Sequence, residues 1–88
     1  GDVQGQRASY RFATFLPAIV ETADAVGRGM VLNFSAGGLY VACDLQAEQG
    51  STVQVRIGSG SRRYLLSATV RHTRPHKNLS GLGLQIIR

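Results

Sequence analysis

Residues 29–42 read GMVLNFSAGGLYVA, two apolar runs separated by a short polar, glycine-bearing turn. Runs of this length, with β-branched and aromatic residues on either side of a turn signal, predict a β-hairpin. One strand covers 29–34, the turn 35–38 and the next strand 39–42. Phe34 is expected to face the core together with Leu32. Asn33, Ser35 and Gly38 form an Asn-x-Ser-x-x-Gly pattern on the turn. Asn donates and accepts hydrogen bonds in one plane, so it can read the edge of a base, and a serine two residues on can reach a base or phosphate. Gly37 and Gly38 would permit a positive φ and a close approach of ligand to backbone. The same side chains could serve only to close the turn.

The rest of the chain repeats the strand-and-turn rhythm. Residues 12–22, FATFLPAIVET, carry no helical period and read as a strand, with Pro17 marking an edge position or a bulge. A turn follows at 24–27. Residues 44–50 form a longer connection with room for one helical turn. From Thr52 to Ile57 the pattern alternates, with Val53, Val55 and Ile57 on one face and Gln54 and Arg56 on the other. GSGS at 58–61 is a hairpin loop. Residues 62–72 form the longest strand, with Leu66, Ala68 and Val70 inward and Arg71 outward. RPHKN at 74–78 is a second hairpin loop, and Leu82, Leu84 and Ile86 close the core from the last strand. Six short strands without a long helix predict an all-β, six-stranded antiparallel barrel, which leaves no exposed edges.

At 88 residues the chain is one domain, with 12–88 as the barrel and 1–11 as a flexible lead-in. It is 43% hydrophobic and 17% charged, which argues against wholesale disorder. The net charge of +5 favours anionic partners, whether nucleotide, nucleic acid or membrane surface. Cys43 is the only cysteine, so no internal disulfide forms, and it is expected to pack as a small apolar residue. No run is long enough for a membrane helix. The opening at Gly1 rather than Met reads as a piece of a longer protein, whose other parts could include a membrane segment. His72 and His76 lack the acidic or thiol companions of a metal site, and no nucleophile–base arrangement is visible. Neither a metal nor an enzyme activity is therefore expected.

The lead-in carries Arg7 and Arg11, four residues apart. The planar arginine fork pairs with phosphate oxygens or with guanine O6 and N7, and its face stacks on a base. Two arginines at this spacing are equally compatible with solvated charges ahead of a strand. An Arg-x-x-x-Arg pair, one strand and then Asn-x-Ser-x-x-Gly together resemble the PilZ domain family. The Gly38-Leu39-Tyr40-Val41 strand start, the Leu45…Gly50…Val53-x-Val55 spacing and the closing Val70-Arg71 with Gly81-Leu82-Gly83-Leu84 continue the likeness.

That resemblance implies a β-barrel that binds the bacterial second messenger cyclic di-GMP in the cytoplasm. Cytoplasmic here includes the cytoplasmic part of a membrane protein, and the domain itself makes no membrane contact. The barrel would switch an attached or partner effector domain as the lead-in orders over the ligand. It implies that Arg7 and Arg11 grip phosphates and guanine faces, that Asn33 and Ser35 contact a guanine, and that Gly38 lets the turn sit close under the ligand. Arg71 is a further candidate. The remaining cations Arg62, Arg63, Arg74 and Lys77 fall in or near hairpin loops and read as general surface charge. Asn33 stands where the family often has Asp, and Gln6 where many members have a basic residue, which leaves open one ligand or a stacked pair. The alternatives are a basic barrel for nucleic acid, disfavoured by the absence of an aromatic stacking face, and a protein-docking adaptor of the same fold that has lost its ligand.

Overall fold

A computed structural model describes residues 12–88; the lead-in, and with it Arg7 and Arg11, lies outside the described residues. Six antiparallel strands follow one another: β1 (Phe12–Glu21), β2 (Val26–Ser35), β3 (Gly38–Cys43), β4 (Thr52–Ser59), β5 (Arg62–His76) and β6 (Leu79–Ile86). They close into a barrel in the order β1-β2-β3-β6-β5-β4, with β4 returning to β1. The expected architecture is the one observed.

Alternation along each strand builds the interior. Val20, Val31, Val41, Val55, Val70 and Leu82, one from each strand, are fully buried. Ile57, Ala68 and Leu84 extend this core, while Phe34, Leu66 and Ile86 pack against it from partly buried positions. The 44–50 connection contains no helical turn. Leu45 instead plugs the core, Ala47 packs beside it, and a turn at 48–51 is closed by the Ser51 hydroxyl donating to the Glu48 carbonyl at 2.6 Å.

Cys43 is fully buried, and its thiol donates to the Leu45 carbonyl at 3.5 Å. Burial pushes its pKa above the ordinary value of 9.0, the Asp44 charge adds to this, and a backbone hydrogen bond at Leu45 opposes both. The folded state therefore holds the thiol proton more tightly than the unfolded state. The stability this provides is intact below pH 9 and declines as the pH climbs past it. In the native protein at pH 8, Cys43 should react with an aromatic disulfide reagent only as fast as the barrel opens. A reaction as fast as that of the urea-unfolded chain would contradict this burial.

The two later hairpins are tighter than their sequence implies. β5 continues through Arg74, Pro75 and His76, so the second loop is only Lys77 and Asn78. Pro75 pairs with Ser80 within the ladder rather than forming part of a loop. Lys77 holds φ at 57°, the left-handed region where a side chain costs about 1–2 kcal/mol. Lys77→Gly removes that cost but adds chain entropy to the unfolded state. A net gain of about 0.5 kcal/mol, seen as a rise of a few degrees in Tm, is the expected result.

Candidate functional site

Three register slips at neighbouring levels of the barrel shape one side of it. Between Ala13 and Leu16, β1 carries one residue more than β2. Between Val31 and Asn33, β2 carries one more than β3, the extra residue being Leu32. Between Val70 and His72, β5 carries one more than β6, the extra residue being Arg71. Each is a β-bulge, which bends the strand and reverses the facing of everything beyond it.

The consequence at Leu32 is direct. Val31 is fully buried, and unbroken alternation would send Asn33 and Ser35 into the core with it. The bulge absorbs one residue, so Phe34 packs inward and Asn33 and Ser35 turn to the outer face, opposite Tyr40 and Gly38. Leu32 is the residue spent on this. It is half-buried and outside the core cluster, contrary to the expectation that it would accompany Phe34 inward.

The outer face that receives them is unusually bare in its middle. Asn33, Tyr40, Gly83 and His72 form one transverse row across β2, β3, β6 and β5. Gly83 and Gly81 alternate with the core residues Leu82 and Leu84, so β6 shows backbone outward. A Cβ at Gly83 would collide with the His72 ring, and one at Gly81 with the Tyr40 hydroxyl. The neighbouring side chains thus lie flat across β6. Tyr40 is on the outer face yet only 9% exposed. Arg74 covers it, with Nε donating to the Tyr40 hydroxyl at 3.1 Å and Cζ 5.0 Å from the ring centroid. The His76 ring meets Tyr40 edge-on, with centroids 5.9 Å apart.

Asn33, Ser35, Tyr40, Arg71, His72 and Arg74 line a shallow groove of about 210 Å³. No carboxylate is among the described residues that line it, while two guanidiniums are, so it favours an anion. Of the expected site residues, Asn33, Ser35 and Arg71 come together here. Gly38 does not line the groove. It is buried, φ at Gly37 and Gly38 lies outside the left-handed region, and a Cβ on Gly38 would collide with the Leu84 carbonyl of β6. The glycine thus permits close approach of a strand, where the sequence pointed to a positive φ.

Beside it, the two-residue loop Ala36-Gly37 is pinned from the chain's other end. Ile86 N–H donates to the Gly37 carbonyl at 2.9 Å and Arg88 to the Ala36 carbonyl at 3.1 Å. Arg7 and Arg11 lie outside the described residues, but Arg11 is bonded directly to Phe12, whose partner on β2 is Phe34, between Asn33 and Ser35.

Tyr40, His72 and Arg74 were not singled out by the sequence as site residues. Alternation in Leu39-Tyr40-Val41 could have placed Tyr40 outward. The x-Gly-x-Gly pattern at 81–83 was the signal for a bare outer strand. Arg74 was hidden by Pro75, which made a strand resemble a loop.

Comparison with known proteins bears on this arrangement. The chain is similar to a solved structure of the Bacillus subtilis inhibitor of motility (MotI/DgrA), with 20% identity and a TM-score of 0.74 over 97% of this chain and 44% of that one. It is also similar to the PilZ domain of YcgR from Escherichia coli, solved with c-di-GMP, with 14% identity and a TM-score of 0.76 over 96% of this chain and 79% of that one. At these identities the likeness is one of fold. The chain spans less than half of the Bacillus protein. No relative was found among curated protein sequences. The family model described as the PilZ domain matches residues 5–88, nearly the whole chain, and this chain belongs to the PilZ domain family.

Proposed function

We propose that this domain is a receptor for cyclic di-GMP and that it transmits binding to an attached or partner protein. The observation that carries this reading is the Leu32 bulge. It turns Asn33 and Ser35 out of the core into a cationic groove beside Arg71. A bulge interrupts the ladder, and bulges of this kind are common where a strand must re-aim side chains at a ligand.

In this reading Asn33 reads a guanine edge and Ser35 contacts the adjoining base or phosphate. Arg71 faces a phosphate or the second guanine. Arg7 and Arg11 close over the ligand from the chain that leads into β1, supplying bidentate, charge-assisted hydrogen bonds. Gly38 contributes by holding the turn against β6. The lead-in is then fixed across the groove, and the surface made by lead-in plus barrel is what an effector meets. Such a switch biases its output only by the difference in ligand affinity between its two states. The site of action is the bacterial cytoplasm, where the messenger is found.

Calorimetric titration of the domain with cyclic di-GMP, against cyclic di-AMP and GMP, tests this. Saturable heat with the guanine dinucleotide alone is expected, and the stoichiometry decides between one ligand and a stacked pair. Equal heats with all three nucleotides would reduce the groove to a general anion site. Absence of heat with a folded barrel would favour an adaptor without ligand.

A further inference from the structure

On the opposite side of the barrel the outer face has a second concavity, of about 460 Å³, which the cyclic di-GMP reading does not use. It lies where the barrel seam opens. β1 pairs with β2 from Phe12 onward, but with β4 only from Ala18 to Glu21. β4 runs on past Ile57 to Ser59 in company with β5. Above Ala18 the two strands part, beside Pro17, which has no N–H to offer, and Gly58, whose φ is 104°. The volume is within the range of about 300–1,000 Å³ typical of binding pockets.

Its lining is amphipathic, and the charged side chains among the described lining residues are all guanidiniums. Arg28, Ile19, Arg56 and Leu65 form a transverse row across β2, β1, β4 and β5, alternating guanidinium and apolar side chain. Arg63 adds a third guanidinium to the wall, its Nε donating to the Gly60 carbonyl at 2.9 Å. Leu65 is 63% exposed and Met30, which pairs with Pro17, is 42% exposed. Two carboxylates approach the row. Glu21 meets Arg56 at 3.5 Å in a pair that is open to solvent, and Asp44 accepts from the Arg28 backbone N–H at 2.7 Å. An exposed pair of that kind is worth about 0–1 kcal/mol and is readily exchanged for a better partner.

We infer that this face is a docking surface for an acidic, apolar-bearing segment of a partner protein. Carboxylates would replace Glu21 around Arg28, Arg56 and Arg63, while apolar side chains cover Ile19, Met30 and Leu65. Charge complementarity selects this occupant. A second copy would bring the same arginines against themselves across a two-fold axis. A nucleic acid backbone has phosphates for the arginines but nothing for the apolar positions between them. A membrane presents a flat surface to what is here a hollow. The face shares β2 and β5 with the groove but none of its lining residues, so both can be occupied together.

The test uses the full chain and a short fluorescent peptide of repeating Glu-Leu-Glu-Phe, read by polarisation and by amide chemical shifts. Binding well below about 1 mM is expected. Shifts should centre on Ile19, Arg28, Arg56 and Leu65, and affinity should fall about tenfold or more in Arg28→Glu/Arg63→Glu. Leu65→Ser should weaken it as well, whereas Arg71→Glu, a charge reversal on the other face, should leave it nearly unchanged. These substitutions are at exposed strand or rim positions, and a retained melting curve verifies the fold. The inference is overturned by any of four results: no binding at about 1 mM, equal binding of a Glu-Ser peptide of the same charge, shifts centred on Asn33 and Tyr40, or a stronger response of the same variants to anionic vesicles or an oligonucleotide.

Discussion

Arg11→Ala is expected to bind cyclic di-GMP on the order of a hundredfold more weakly than the wild-type domain, and Arg7→Ala to lose a similar factor. A hydrogen bond to a charged group contributes about 1.5–3 kcal/mol, and a bidentate guanidinium makes two in one fixed plane. At about 1.4 kcal/mol per tenfold, losing one such bond costs one to two orders of magnitude, and losing two at the weak end of that range costs about a hundredfold. Arg11→Lys should recover little of this, because an ammonium keeps the charge but not the fork or the stacking face.

Asn33, on β2, makes a contrasting case. Under the proposed reading Asn33→Ala would remove one neutral base-edge contact and should cost about tenfold or less. Asn33→Asp should strengthen binding, since a carboxylate is the better acceptor for the guanine N1–H and N2–H donors. All five variants are read by calorimetry, with the melting temperature as the control for folding. Wild-type affinity in both arginine variants would remove the lead-in from the site and leave Asn33, Ser35 and Arg71 to account for any binding alone.

The barrel itself was legible because alternation is a local property. Val53, Val55 and Ile57, or Ala68 and Val70, announce their facing within a few residues, and the observed core contains each of them. The closing of six such strands follows from the cost of bare edges. What alternation cannot express is its own interruption. At Leu32 and Arg71 the parity of a strand is reset by one residue whose identity carries no signal, since a bulge is decided by the register of the partner strand. For that reason alternation puts Leu32 inward with Phe34, whereas the structure spends Leu32 on the bulge that turns Asn33 and Ser35 outward.

The groove's other residues were obscured for different reasons. Tyr40 and Arg74 meet across the bare strand β6 although 34 positions separate them in sequence. Their pairing depends on the β3-β6-β5 order, a long-range fact that no local pattern holds. Pro75 misled because proline is rare inside a ladder, but β5 tolerates it next to the tight turn at Lys77.

Gly38→Ala is expected to destabilise the barrel by about 2 kcal/mol, lowering Tm by roughly 10 °C, while Gly37→Ala leaves it close to wild type. The two glycines are adjacent in the same turn, and both φ angles are outside the left-handed region, so conformational freedom does not distinguish them. Space does. Nothing lies within 4 Å of a Cβ placed on Gly37. A Cβ on Gly38 meets the Leu84 carbonyl, with the Leu84 carbonyl carbon at 3.4 Å and Gln85 Cα at 3.6 Å behind it. These are backbone atoms of a paired strand, and Gly38 is itself paired with Gln85, so the clash is relieved only by pushing β3 away from β6.

That displacement reaches the groove lined by Asn33, Tyr40 and Arg71, because Tyr40 and Gly83 are the next outward pair along the same two strands. Gly83→Ala provides the comparison, since the colliding atoms there belong to the exposed His72 ring, which can turn aside. It should cost well under the 1–3 kcal/mol typical of a rigid overpacked site. Thermal melts of the three variants, followed by titration at a temperature where each is folded, separate the two roles open to Gly38. A folded Gly38→Ala with normal Tm and no ligand affinity would mean that the glycine serves the ligand directly. A lowered Tm with affinity within a few-fold of wild type would mean that it acts through strand packing, keeping β3 and β6 close enough for Tyr40 to lie across the bare backbone between them.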